Sequence, residues 1–242
     1  MSKPRSRKKT SVQIKPKTKF QNFFDSVIGK HKSVNFSNKD RVAIRGDFSE
    51  STAKRIFSKH AKTWNGLINK EVMEHELESL KQRVKINPSD SIVSVGSGTS
   101  ILEAFLAKEI VPKGKVISID IAHGMSKEAK KIKINSKANN LSILTASGTK
   151  IPLRSNSQNK VIAIQSNLLE TRHWEPFLQE SRRILKKEGS SRLVFSVVLA
   201  RGSKLSVANK LQQYGFTPLE LITLATFGKS EVVMFTAKPR LT

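Results

Sequence analysis

From about Ser49 to the C-terminus, apolar residues recur at spacings that switch between those of helices and those of strands. Ser49-Glu-Ser-Thr supplies cap-forming residues, and a helix is predicted from there to about His60. A second helix is predicted over Ile68–Val84, with Val72, His75, Leu77, Leu80 and Val84 as its apolar stripe. Acids fill its first half, where the helix dipole favours them, and Asn87-Pro88 ends it. Apolar runs at Ser91–Val95, Val116–Ile119, Leu141–Leu144, Lys160–Gln165 and Arg192–Leu199 read as strands. Interleaved with them, helical spacing is found at Ile101–Ile110, around Ser126–Ala138, at Glu175–Lys187 and at Lys204–Tyr214. Two last strands, near Leu219–Leu224 and Glu231–Ala237, are joined by Phe227-Gly228-Lys229.

Strands alternating with helices build a parallel sheet, and two strands in succession close it with a hairpin. The expected fold is therefore α/β: a doubly wound, mainly parallel seven-stranded sheet with a C-terminal antiparallel hairpin. It occupies residues 47–242 and follows a basic extension over 1–46. Within that extension, Lys3, Arg5, Arg7, Lys8, Lys9, Lys15, Lys17 and Lys19 occur with no acid among the first 19 residues. Such a density of like charge, with little apolar surface to repay ordering, reads as a disordered arm. Phe20, Phe23, Phe24, Val27 and Ile28 then recur at helical spacing. They mark a face that docks on the main domain or, in the other reading, stacks on RNA bases.

Charge sharpens the picture. The 242 residues carry 44 Lys+Arg against 19 Asp+Glu, a formal net charge of +25. A surface of that sign attracts polyanions, and RNA or a ribonucleoprotein is the expected partner. There is no cysteine, which excludes a disulfide framework, a thiol nucleophile and a Cys-based zinc site. The five histidines show no metal-ligand spacing, so no metal is expected. No window is apolar enough for a membrane span, and no apolar segment follows the basic start. These features point to the cytoplasm.

The chemistry is concentrated where the first strand runs into Gly96-Ser97-Gly98 and a helix begins at once. Glycine lets the backbone turn tightly and approach a ligand, and the helix start offers free N–H groups. Asp120 ends the next strand, 22 positions after Gly98. An acid there reaches the crevice at the carboxyl ends of the strands and can accept bonds from ribose hydroxyls. A purely structural turn, and a purely structural cap at Asp120, are the competing readings.

The region from about Phe57 to Lys238 resembles a class I S-adenosylmethionine-dependent methyltransferase, and is most similar to the type 11, menaquinone-biosynthesis-like branch. The resemblance rests on Val95-Gly-Ser-Gly-Thr-Ser, Pro112-Lys-Gly-Lys-Val-Ile-Ser-Ile-Asp120, Ala146–Leu153, Arg182–Gly189 and the hairpin after Tyr214-Gly215-Phe216. It implies S-adenosyl-L-methionine as cofactor. Gly96, Ser97 and Gly98 would pass under its methionine part, Asp120 would hold the ribose and Ile121 would lie against the adenine. Ser147 and Gly148 would edge the adenine, and Gln165, Ser166 and Asn167 would end strand four beside the reactive methyl. Two departures stand out. The family usually has acids where this chain has Ser94 and Ser147, and a serine hydroxyl offers no carboxylate to a cationic or amine group. Both serines stay in the expected cofactor-binding set.

No catalytic residue is assigned. Glu170 and His173 are candidate bases, and the Asn/Asp-Pro-Pro-aromatic box of RNA amino-group methylases is absent, the strand ending Gln165-Ser-Asn-Leu-Leu. Trp64 either closes over the cofactor or packs as core. Three functions stay open: an RNA-directed methyltransferase, a methyltransferase-like structural component of a ribonucleoprotein, and a small-molecule methyltransferase.

Overall fold

The computed structural model describes residues 17–28, 49–166, 172–200 and 202–240. Helices α1 (Lys19–Ile28), α2 (Glu50–His60) and α3 (Lys70–Arg83) precede the first strand, with a 3-10 segment, Ala61–Leu67, between α2 and α3. Then come β1 (Ser91–Val95), α4 (Ile101–Phe105), β2 (Lys115–Asp120), α5 (His123–Ser136), β3 (Leu141–Thr145) and β4 (Lys160–Ala163). Helix α6 (Trp174–Ile184), β5 (Arg192–Ala200), α7 (Lys204–Gln213), β6 (Phe216–Phe227) and β7 (Ser230–Pro239) complete the chain. Ser49 caps α2 by accepting from Thr52 N–H, and Asn69 caps α3 by accepting from the N–H groups of Glu71 and Val72.

The strands form one sheet in the order β3-β2-β1-β4-β5-β7-β6. β1 through β5 are parallel, and β7 runs antiparallel between β5 and β6. This is the expected fold class. The order reverses at β1, whose neighbours are β2 on one side and β4 on the other, so their carboxyl ends diverge and open a crevice.

Strand side chains alternate between the faces. Ile92, Ile162, Val194 and Met234 lie on the face covered by α1, α3, α4 and α5. Val93, Val161, Phe195 and Phe235 lie on the face covered by α6 and α7. On that second face, Phe195 stacks on Phe235 at 5.1 Å and meets Trp174 edge-on at 4.9 Å. Lys160, fully buried at the start of β4, is held by Asp90 at 3.1 Å and by the Ser190 carbonyl at 2.9 Å.

Several boundaries move, each for a local reason. β4 stops at Ala163, because Gln165 takes φ +50° and its N–H donates to Ser196 Oγ, out of the ladder. α6 stops at Ile184, because Leu185 turns extended and bridges to Gln158. β6 begins before Pro218. It is the edge strand, where a proline forfeits no ladder bond. In α3 the inward stripe is Met73, Glu76, Leu77 and Leu80, whereas His75 is exposed. The expected stripe had admitted Val72 and His75 and passed over a buried acid.

Within the stretch assigned to the N-terminal extension, α1 packs on the domain. Phe20 and Phe23 each meet Phe105 edge-on at 5.3 Å, and Phe24 is fully buried with Lys70 Nζ 4.7 Å above its ring. Asp25 anchors the helix by pairing with Lys17 and Lys70, which hold its carboxyl down at about 2. Lys3, Arg5, Arg7, Lys8, Lys9 and Lys15 lie outside the described residues.

Replacing Phe20 by Ala is expected to cost about 3–5 kcal/mol in urea unfolding, as for other buried phenylalanines. A loss under about 0.5 kcal/mol, as at a surface site, would place α1 outside the core.

Candidate functional site

Strand β1 ends in a turn flanked by two glycines of positive φ. Gly96 has φ +71°, and a Cβ there would come within 2.1 Å of Ser166 Oγ. Gly98 has φ +56°, and its Cβ would meet the Trp64 indole nitrogen at 3.2 Å. Both positions thus take a backbone conformation that favours glycine, and at Gly96 a side chain would also have to displace Ser166. The N–H groups of Gly96 and Ser97 donate to the Ile119 carbonyl, which stitches the turn to β2. Beneath it, Ser97 Oγ lies 2.6 Å from Ser118 Oγ, which also bonds Ser100.

Asp120 completes the joint. One carboxylate oxygen accepts from Gly98 N–H at 2.8 Å and the other from Ala122 N–H at 2.8 Å. The capping reading of Asp120 is thus realised. A carboxylate has roughly four lone-pair sites, however, so acceptor capacity is left for a ligand hydroxyl. Burial pushes its carboxyl up to about 6, against the lowering effect of those two N–H groups.

A cavity opens over this joint. Its walls include Gly96, Ser97, Gly98, Asp120, Ile121, Gly148 and Gln165 from the expected set. Trp64 lines it too, edge-on to Phe57 at 5.4 Å, and belongs to a small cluster with Ala61, Ala122 and Met125. The indole thus packs as core and also stands in the cavity wall. Asn65 accepts a bond from Thr99 Oγ1 and fastens the Trp64 segment to the end of the glycine turn. His173 reaches the cavity wall, whereas Asn167 and Glu170 lie outside the described residues. Among the described residues, no group of His, Asp and Glu could hold a metal ion.

Ser94 and Ser147 stand behind the wall instead of in it. Ser94 Oγ donates to Glu103 Oε1 at 2.6 Å, and Ser147 Oγ donates to Glu50, which also accepts from Thr149 Oγ1 at 3.2 Å. Glu103 and Glu50 both line the cavity, and neither was expected there. Burial pushes the Glu103 carboxyl up to about 7, with the Asp120 charge adding to the rise. Behind Gln165 sits a third acid. Glu76, fully buried, accepts from Ser196 Oγ at 2.6 Å and from Gln165 Nε2 at 2.8 Å, and burial pushes it to about 7. In the sequence each of the three is an acid on a helix, a residue type ordinarily assigned to solvent, and for Glu76 the spacing from Met73, Leu77 and Leu80 was the one sign of an inward position.

The comparisons place this geometry. Residues 92–189 match a family model described as a methyltransferase domain. The fold is the one that solved S-adenosylmethionine-dependent methyltransferases have. The match carries no branch assignment. A solved S-adenosylmethionine-dependent methyltransferase from Aquifex aeolicus is similar at 21% identity and a TM-score of 0.59, covering 79% of this chain and 98% of that one. The cyclase SpnF is similar at 13% identity and a TM-score of 0.62, covering 91% and 93%. So is a structure of the Haloferax volcanii Trm112 methyltransferase activator in complex with a methyltransferase, at 16% identity and a TM-score of 0.60, covering 76% and 96%. At such identities these likenesses show the fold, and the cyclase shows that one fold serves more than one reaction. No curated protein matches the chain in sequence.

The cavity fits S-adenosyl-L-methionine. Gly96 and Gly98 leave room beside the backbone, Asp120 keeps acceptor capacity for a ribose diol, and Ile121 and Ala146 add apolar wall.

Two outcomes follow. Asp120→Ala is expected to weaken S-adenosylmethionine binding by on the order of 1.5–3 kcal/mol in calorimetric titration; unchanged affinity would leave Asp120 a cap alone. Glu76 holds its proton up to about 7 when folded, whereas an unfolded glutamate loses it near 4.3. Its contribution is thus complete below the unfolded value and lost as pH rises through about 7. Relative to wild type, Glu76→Gln should gain on the order of 2 kcal/mol of stability between about pH 5 and about pH 8. Parallel denaturation curves across that range would show that Glu76 does not titrate there.

Proposed function

We propose that this protein is an S-adenosylmethionine-dependent methyltransferase that acts on RNA, alone or within a ribonucleoprotein. The observation that carries the reading is the charge: a net +25, with eight cations and no acid among the first 19 residues. Phosphates met by such a surface release counterions, and binding becomes strong and salt-dependent.

The cofactor supplies a methyl group already activated on a sulfonium, so the protein's task is to position and to exclude water. The glycine turn and Asp120 hold the nucleoside, and the Phe57–Trp64 wall shields it. Gln165 is kept in one orientation by Glu76 at the end of β4, where the acceptor approaches. The unmatched Asn/Asp-Pro-Pro-aromatic box argues against a base amine as acceptor by that route.

One observation favours a small-molecule acceptor. Leu67, Ile68, Met73 and Leu102 give the cavity an apolar side suited to a hydrophobic substrate. No helix among the described residues is long and apolar enough to cross a membrane.

Lys17 and Lys19 pair with Asp25 at 2.8 Å and with Glu109 at 2.6 Å, so truncation is best made at residues 1–16, leaving α1 intact. With about five phosphate contacts, full-length protein should show a logarithmic salt slope of roughly −3.5 on single-stranded RNA. The truncated protein should show a flatter slope, weaker binding to unrelated sequences alike, and an unchanged melting temperature. Coincident slopes in a filter-binding series would remove the arm from RNA binding.

A further inference from the structure

Glu103 is nearly inaccessible, at 3% exposure, yet lies in the cavity wall. It projects from the first turn of α4, immediately after the glycine turn. Its side-chain partner is the neutral hydroxyl of Ser94, and among the described residues no cationic side chain pairs with it. A buried carboxylate without a cation is costly unless a partner arrives from outside. Across the cavity, Glu50 is aimed in the same way. The hydroxyls of Ser147 and Thr149 donate to its carboxylate, beside Gly148.

The three cavity acids are thus distributed over successive strand ends. Glu103 is tied to β1, Asp120 ends β2, and Glu50 is tied to the loop after β3. S-adenosylmethionine is an elongated molecule with an α-ammonium at one end, a ribose diol in the middle and an exocyclic amine at the other. Asp120 provides for the diol. That leaves the outer acids facing the nitrogen-bearing ends.

Resting on the cofactor assignment above, we propose that Glu103 is the carboxylate that binds the α-ammonium and that Glu50 is the acceptor for the adenine amine, with Ser94 and Ser147 as the hydroxyls that orient them. The carboxylates are supplied by helices α4 and α2, and the strands and loops supply only the hydroxyls that fix them. The serines at these two positions are accordingly consistent with a competent cofactor site. α2 also carries Phe57, so the adenine acceptor and part of the aromatic wall sit on one helix.

The test is calorimetric titration of the full chain with two probes. S-adenosylmethionine carries the ammonium, and 5′-methylthioadenosine lacks the whole amino-acid part. Glu103→Gln should lose about tenfold or more in affinity for S-adenosylmethionine, since a hydrogen bond to a charged group is lost. It should bind 5′-methylthioadenosine as wild type does. Glu50→Gln should weaken both probes. Glu103→Asp, which keeps the charge, should retain more S-adenosylmethionine affinity than Glu103→Gln. Equal S-adenosylmethionine affinity in wild type and Glu103→Gln overturns the ammonium assignment alone, as does an equal loss for both probes. Wild-type protein that binds neither probe overturns the cofactor reading and this proposal with it. Should Glu103→Gln melt below the assay temperature, Ser94→Ala takes its place. That variant keeps the carboxylate, removes its orienting hydroxyl, and should lose affinity for S-adenosylmethionine only.

Discussion

The bridge that Asp120 builds between Gly98 N–H and Ala122 N–H holds the site in shape. β1 and β2 are adjacent and parallel, and the sheet order reverses between β1 and β4. The Gly98 bond to Asp120 joins the bonds from the Gly96 and Ser97 N–H groups to the Ile119 carbonyl, and together they fix the glycine turn over β2. The second carboxylate oxygen, accepting from Ala122 N–H, holds Asp120 in place for that bond. The hydroxyl cluster of Ser97, Ser100 and Ser118 then fills the space below, and Thr99 carries the same rigidity outward to Asn65 in the Trp64 segment. The same residue therefore shapes the floor of the cavity and faces its contents.

Around this joint the protein maintains acids in places that disfavour charge. Glu76, Glu103 and Asp120 all have carboxyls raised by burial, each moderated by hydroxyl, amide or backbone donors. Such groups weaken the fold at neutral pH, and sites of function are where that cost is usually tolerated. The opposite economy operates at Asp25, where two lysines stabilise the charged form and α1 is pinned to α3 as a result.

Much of this was legible along the chain. Runs such as Ile92-Val93 and Val161-Ile162 announce strands covered on both faces, and the Gly96–Gly98 turn followed by Asp120 announces the crevice. The phenylalanine spacing of α1 announced a docking face. What stayed hidden shares one physical cause. Glu50, Glu76 and Glu103 are acids on helices, and the cost of burying a charge sends such residues to solvent unless a distant hydroxyl or amide receives them. Those receivers, Ser147, Ser196 with Gln165, and Ser94, lie on other elements, and tertiary packing alone brings them together. The ends of β4 and α6 were likewise set by partners remote in sequence, Ser196 and Gln158.

The hairpin has a consequence beyond closing the sheet. β6 lies at the rim, with Leu219, Leu221 and Phe227 exposed along it. A long, flat rim of this kind is a template onto which a second strand can zip. Two register shifts, between Pro218 and Glu220 and between Thr223 and Ala225, break its hydrogen-bonding rhythm, and Pro218 withholds a donor. An incoming strand would find its ladder interrupted twice within a dozen residues. The irregularities in β6 therefore act as a guard against aggregation.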